Sequence, residues 1–150
     1  MMKIIKSKKG FTLIELLIVV AIIGVLATLL MANFVGVRQR ARDAQRKSDL
    51  RQIQAALEIY RSDNGSYPPT PLPNPLTYNG STYMTKIPSD PMNTGQYIYH
   101  YLISNGTTCL TGYCLIACLE NVSDSQKDPL DNSSFCSGGT TNWSYTLTNP

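Results

Sequence analysis

Between Phe11 and Phe34 the chain has one ionisable side chain, Glu15, and from Phe11 to Asp63 it has no proline. Cysteine is absent from the first 108 residues, and histidine occurs once, as His100. Each shortage excludes something. Without a second histidine or a Gly-x-Ser-x-Gly elbow there is no recognisable nucleophile–base pair, and His100, inside an aromatic run, reads as a packing or surface residue. The tyrosines at 97, 99, 101 and 113 read as sheet residues rather than a ligand cage. The arginine-rich stretch from Arg38 to Ile59 has no aromatic side chain for a base to stack on. The cysteines, spaced x4, x3 and x17, lack the paired C-x2-C knuckles of common zinc modules.

What is present starts with a leader carrying Lys3, Lys6, Lys8 and Lys9, followed by a 24-residue apolar run from Phe11 to Phe34. As a helix that run measures about 36 Å, sufficient to cross a hydrocarbon core of about 30 Å. It is too long for the core of a secretory signal, and Val35-Gly36-Val37-Arg38 offers no small-x-small cleavage site. The formal charge of +3 belongs to the leader; beyond Gly10 the chain has nine basic and ten acidic residues. That balance does not describe a globally basic nucleic-acid binder. The lysines argue for a cytoplasmic N-terminus. The cysteines, in a region rich in Tyr, Thr, Ser and Asn, argue for an oxidising, extracytoplasmic compartment for the rest.

Four parts are expected: a leader over 1–10, an apolar helix over 11–34, an amphipathic continuation over 35–63, and a small head over 64–150. Leu50, Ile53, Leu57 and Tyr60 recur at three- and four-residue steps on one face of the continuation. Phe11 to Asp63 therefore reads as one helix of about fifty residues, roughly 75–80 Å long. It is stopped by Asn64-Gly65 and by Pro68 and Pro69 beyond. Tyr67 to Pro75 is a proline-rich connector. Strands are expected at Tyr97–Ile103, ending in the turn dipeptide Asn105-Gly106, at Tyr113–Leu119 and at Trp143–Leu147. Along Tyr113–Leu119, Tyr113, Leu115, Ala117 and Leu119 point to one side and Cys114, Ile116 and Cys118 to the other. Val122 to Gly139 reads as loop. The fold class is α+β, a long N-terminal helix packed against a small antiparallel sheet.

Gly10-Phe11-Thr12-Leu13-Ile14-Glu15 closely resembles the class III signal peptide of the type IV pilin superfamily, which includes the pseudopilins of type II secretion. Leu50 to Pro68, with Ala55-Ala56-Leu57, Tyr60 and Asp63-Asn64-Gly65-Ser66-Tyr67-Pro68, resembles the helix end of the major pseudopilin. Ile87-Pro88-Ser89-Asp90-Pro91 resembles the loop entering that family's sheet. The resemblance implies cleavage between Gly10 and Phe11 by prepilin peptidase, methylation of the new Phe11 amine, and extraction from the membrane into a helical homopolymer. It further implies an inner-membrane platform protein and an assembly ATPase acting from the cytoplasm as partners, with the finished filament outside the cytoplasm or at the cell surface. It implies no enzymatic activity and no cofactor. Two departures stand out. Ala32 occupies the place of a helix-breaking proline common in the family, with Gly24 as the remaining point of loosening. The tail after Pro91 carries cysteines and shows no clear match to the calcium loop of major pseudopilins. The primary expectation is a type IV pilus-like filament subunit; the alternatives are the major pseudopilin of a type II secretion system or a competence filament subunit for DNA uptake. From a different class, the chain could be a membrane-anchored binding module or enzyme that never polymerises.

Four groups of residues carry these expectations. Glu15, costly inside a membrane, either snorkels or takes up a proton, or pairs with the Phe11 amine of an adjacent subunit and sets axial register. Arg38, Arg40, Arg42, Arg46, Lys47 and Arg51, with acids interleaved, read as a solvated face or as intersubunit ion pairs rather than a DNA stripe. Cys109, Cys114, Cys118 and Cys136 allow three disulfide connectivities, of which Cys109–Cys114 with Cys118–Cys136 is preferred. Asp124, Asp128 and Asp131, with Asn132, are weak calcium candidates, since their spacing does not satisfy the EF-hand pattern.

Overall fold

A computed structural model describes residues 10–104, 109–110, 112–129, 135–136 and 143–150, with backbone alone at 32 and 33. The lysine leader, the Asn105-Gly106 turn, Asp131 and Asn132 lie outside the described residues. The chain divides into two compact units, residues 1–37 and 38–150.

The helix α1 is assigned over Leu13–Asn64. In the first unit its apolar side chains from Leu13 to Met31 are exposed, and Leu13–Met31 is long and apolar enough to cross a membrane. A helix apolar on every side suits lipid rather than a one-sided protein core. In the second unit α1 becomes amphipathic. Leu50, Ile53, Ala56, Leu57 and Tyr60 are buried, while Ile59 is 57% exposed on another face. The helix stops where Gly65 takes a positive φ of 75° and donates its N–H to the Arg61 carbonyl at 2.7 Å. This is a left-handed cap that glycine adopts without a Cβ penalty.

The head has five strands among the described residues: β1 (Leu76–Tyr78), β2 (Ser81–Met84), β3 (His100–Ile103), β4 (Tyr113–Leu119) and β5 (Trp143–Thr148). β3, β4 and β5 form an antiparallel sheet in that order, with Tyr101 opposite Leu115 and Leu115 opposite Leu147. Tyr97 to Tyr99, expected as strand, lies outside β3 except for a bridge between Thr94 and Tyr97. β1 and β2 form a hairpin that sequence reasoning did not anticipate. Its turn, Asn79-Gly80, has φ of 47° and 82°, the doubly positive pair of a tight hairpin turn that favours this dipeptide. Tyr78 and Tyr83 meet Tyr60 edge to face at 5.7 and 5.2 Å, so the hairpin docks on the end of α1.

All seven residues of β4 are buried. Tyr113, Leu115, Ala117 and Leu119 pack on Leu50, Ile53 and Leu57 of α1, while Cys114, Ile116 and Cys118 pack with Cys109 and Cys136 on the other face. The connector between α1 and β1 is held down by its backbone, the Pro68 carbonyl accepting the Tyr101 hydroxyl at 2.8 Å.

Each fully buried leucine in this layer is worth about 1.5–3 kcal/mol of transfer alone. Leu57→Ala should therefore cost about 2–5 kcal/mol of unfolding free energy, because the void is added to the lost transfer. Ile59→Ala should stay within about 0.5 kcal/mol. Denaturant melts of the full chain in detergent check both.

Candidate functional site

Two arrangements hold charge in places that need an explanation. The first is at the start of α1. Thr12 precedes the first helical residue, and its Oγ1 accepts the Glu15 N–H at 3.3 Å. In return Glu15 Oε2 accepts the Thr12 N–H and the Thr12 hydroxyl, each at 2.8 Å. This reciprocal pair is a capping box, which satisfies two of the amide donors a helix start leaves open. Within the single chain Glu15 thus serves its own helix. The signal was readable as Thr12-Leu13-Ile14-Glu15, a Thr-x-x-Glu at the head of an apolar run. Both bonds fall on Oε2, and Oε1 accepts nothing from the described residues. Phe11 is 89% exposed, and a Cβ built on Gly10 would meet nothing within 4 Å.

The second arrangement is in the head, where Arg46 is fully buried. Its guanidinium grips Asp90 with two parallel bonds, Nε to Oδ2 at 2.6 Å and Nη2 to Oδ1 at 3.1 Å. Nη1 donates to Asp43 Oδ1 and to Glu120 Oε1, both at 2.7 Å. Arg42 donates to the same Glu120 from Nε at 2.7 Å and from Nη2. The Tyr97 ring lies 4.7 Å from the guanidinium carbon of Arg46. Asp43, also buried, accepts the backbone N–H groups of Glu120 and Asn121 at 3.0 and 2.8 Å. Beside the cluster Lys47 pairs with Asp124 at 2.7 Å.

Burial alone would pull the Arg46 guanidinium down, but the hydrogen bonds it donates to Asp90, Glu120 and Asp43 outweigh it and hold the group above its ordinary value. The Glu120 carboxyl is lowered, first by Arg42 and then, against burial, by Arg46. The expectation of a solvated or intersubunit arginine face is corrected here for Arg42, Arg46 and Lys47, which pair with carboxylates of their own chain. Periodicity could not show this, because Asp90 and Glu120 come from loops 44 and 74 residues further on. Asp90 does sit within Ile87-Pro88-Ser89-Asp90-Pro91, singled out by resemblance, and the structure gives that loop a physical task.

The remaining candidates are placed as follows. The structure pairs Cys109 with Cys114 and Cys118 with Cys136. Asp124 also accepts the Gln126 N–H at 2.8 Å. Asp128 accepts the Thr146 N–H and hydroxyl at 3.1 and 2.7 Å. Both carboxylates are thus engaged by the fold, and no group of three His, Cys, Asp or Glu among the described residues is arranged to hold a metal ion. His100 lies against the Phe135 ring at 4.6 Å, and burial lowers its pKa.

Two outcomes are expected. Arg46→Ala should destabilise the head by about 3–5 kcal/mol, since it strands buried carboxylates without a cation, and more than Arg42→Ala does. Because the folded Glu120 carboxyl titrates below its unfolded value, its contribution is complete above the ordinary glutamate range and lost as pH falls through the folded value. The thermal midpoint should therefore drop in acid, with a smaller drop in Glu120→Gln, as read by circular dichroism across a pH series.

Residues 5–31 match the prokaryotic N-terminal methylation motif, and residues 33–111 match type II secretion system protein G. The chain is similar to type II secretion system core protein G of Escherichia coli (strain K12), 32% identical over 124 residues that cover 70% of this chain and 86% of that one. It is 36% identical to the Pseudomonas aeruginosa core protein G over 106 residues, 62% of this chain and 75% of the relative. It is 34% identical to that of Pectobacterium carotovorum subsp. carotovorum over 99 residues, 58% of this chain and 64% of the relative, so it spans a little under two thirds of that protein's length. No solved structure matches the chain.

Proposed function

The chain belongs to the type II secretion system protein G family, and from that membership we propose that it is a major pseudopilin, a structural subunit that polymerises into a secretion pseudopilus. The observation that carries this reading is the joining of a methylation motif over residues 5–31 to a protein G match over residues 33–111 in one chain. The sequence alone favours the broader pilus-like filament; the protein G match supports the secretion filament over a pilus or a competence filament.

On this reading prepilin peptidase cuts after Gly10, where the absence of a side chain leaves the backbone accessible. The new Phe11 amine is methylated. Until it is extracted the subunit sits in the inner membrane by Leu13–Met31 with its N-terminus in the cytoplasm, and its head lies on the extracytoplasmic side. A platform protein and a cytoplasmic ATPase then drive extraction into the filament, with residues 11–63 as its core and the head as its outer surface.

Glu15 has two tasks. Through Oε2 it caps its own helix, so the precursor tolerates the carboxylate before assembly. Through Oε1 it takes the Phe11 amine of the adjacent subunit. A charge pair in a low-dielectric bundle is strongly distance-dependent, so it sets axial register where Leu, Ile and Val supply only non-directional contact.

Glu15→Ala should insert and be processed normally yet yield no sheared filaments; an unchanged filament yield would sink the pairing. Gly10→Val should retain the ten-residue leader, readable by mass. Deleting the gene should abolish export of secreted proteins while leaving twitching and DNA uptake intact, and the reverse pattern would return the assignment to a pilus or competence filament.

A further inference from the structure

We infer that oxidation of Cys118 with Cys136 is the step that completes the head, carried out by a disulfide-bearing thiol oxidant on the extracytoplasmic side, and that Cys109–Cys114 is secondary to it. The inference begins with β4, which is buried on both faces. Its front is covered by α1. Its rear, Cys114, Ile116 and Cys118, has no helix or second sheet over it among the described residues. Among the described residues the cover is Cys109 and Cys136 with Tyr97, Leu102 and Phe135 packed around them. A three-stranded sheet with one helix would otherwise leave that face to water.

The two disulfides are unequal. Each joins one cysteine of β4 to one outside any strand, but they differ in span: Cys109–Cys114 joins residues five apart. Cys118–Cys136 joins residues eighteen apart and brings Phe135 and Cys136, which belong to no strand, onto the rear face. Phe135 then packs against His100 of β3. By the loop-closure argument the longer link restricts the unfolded chain more. It also lies two residues from Glu120, whose side chain and N–H enter the buried ion cluster on the front. The rear staple and the front clamp therefore meet at the end of one strand. The protein G match ends at residue 111, so Cys114, Cys118 and Cys136 fall beyond it.

Cys118 is fully buried and Cys136 is 1% exposed, so an oxidant reaches them only before the head has packed. The thiolate of one cysteine attacks the oxidant's disulfide, giving a mixed disulfide and releasing one oxidant thiol. The second cysteine's thiolate then displaces the other. The two electrons and two protons of the cysteine pair end on the oxidant, which leaves as a dithiol.

The in-cell partner rests on the extracytoplasmic placement proposed above, whereas the structural core of the inference does not, and the test separates them. Full-length protein in detergent is unfolded in guanidinium with a phosphine reductant, then refolded with or without oxidised glutathione. Wild type refolded without oxidant should melt about 10 °C or more below the oxidised protein, by near-ultraviolet circular dichroism of its tyrosines. C118S/C136S should stay low even with oxidant, and C109S/C114S should recover most of the difference. A reduced wild type with an unchanged midpoint overturns the inference, as does a C109S/C114S variant that behaves like C118S/C136S. If C118S/C136S does not fold at all, the reduced and reoxidised wild type supplies the same comparison. Cells grown with dithiothreitol are then probed with a membrane-impermeant maleimide. Labelling in intact cells of Leu110→Cys, a position 75% exposed on the head, supports the external oxidant; labelling of it only after lysis overturns that partner and the placement, leaving the refolding result to stand alone.

Discussion

Arg46 carries a full positive charge to a position with no access to water, and the head is organised around making that tolerable. An unpaired guanidinium there would cost several kcal/mol, so three carboxylates converge on it, one from its own helix and two from distant loops. Those carboxylates do further work. Asp43 accepts the N–H groups that follow β4, Asp90 accepts the N–H of Met92, and Glu120 also holds Arg42. One buried cation therefore sets where β4 ends and where the loop before β3 turns, both relative to α1. The hydrophobic layer of Leu50, Ile53 and Leu57 supplies attraction to the sheet without direction; the ion cluster supplies direction.

The head solves the problem of a thin sheet from both sides of β4. The front is closed by the amphipathic part of α1, and the rear by sulfur. Neither cover is large. A domain of this size has little apolar surplus, so covalent staples and a directional charge cluster complement a modest core.

At the N-terminus the same economy appears in a single carboxylate. Glu15 looks anomalous in an apolar run until Thr12 is seen to share it, one oxygen engaged and one open. An internal cap explains how the residue is accommodated by a lone chain, and in the proposed filament the open oxygen is the one a second subunit would meet. The two explanations are complementary because they use different atoms.

Periodicity and composition alone determined the apolar span, the amphipathic face ending at Tyr60, the Gly65 stop and the three strands of the main sheet, because each is a local pattern of side-chain spacing or backbone freedom. The β1–β2 hairpin is equally local, written in Asn79-Gly80, but its strands of three and four residues are too short to show a periodic pattern. The Thr12–Glu15 cap was legible in the same way. The fate of the arginines was not. A helical wheel places Arg42 and Arg46 beside the apolar stripe, where a solvated face is the ordinary outcome, and nothing in their spacing reveals Asp90 and Glu120. Only the tertiary structure decided that Arg46 is an interior residue, because two of the three carboxylates that make its burial tolerable, Asp90 and Glu120, arrive from loops whose paths are set by the sheet itself.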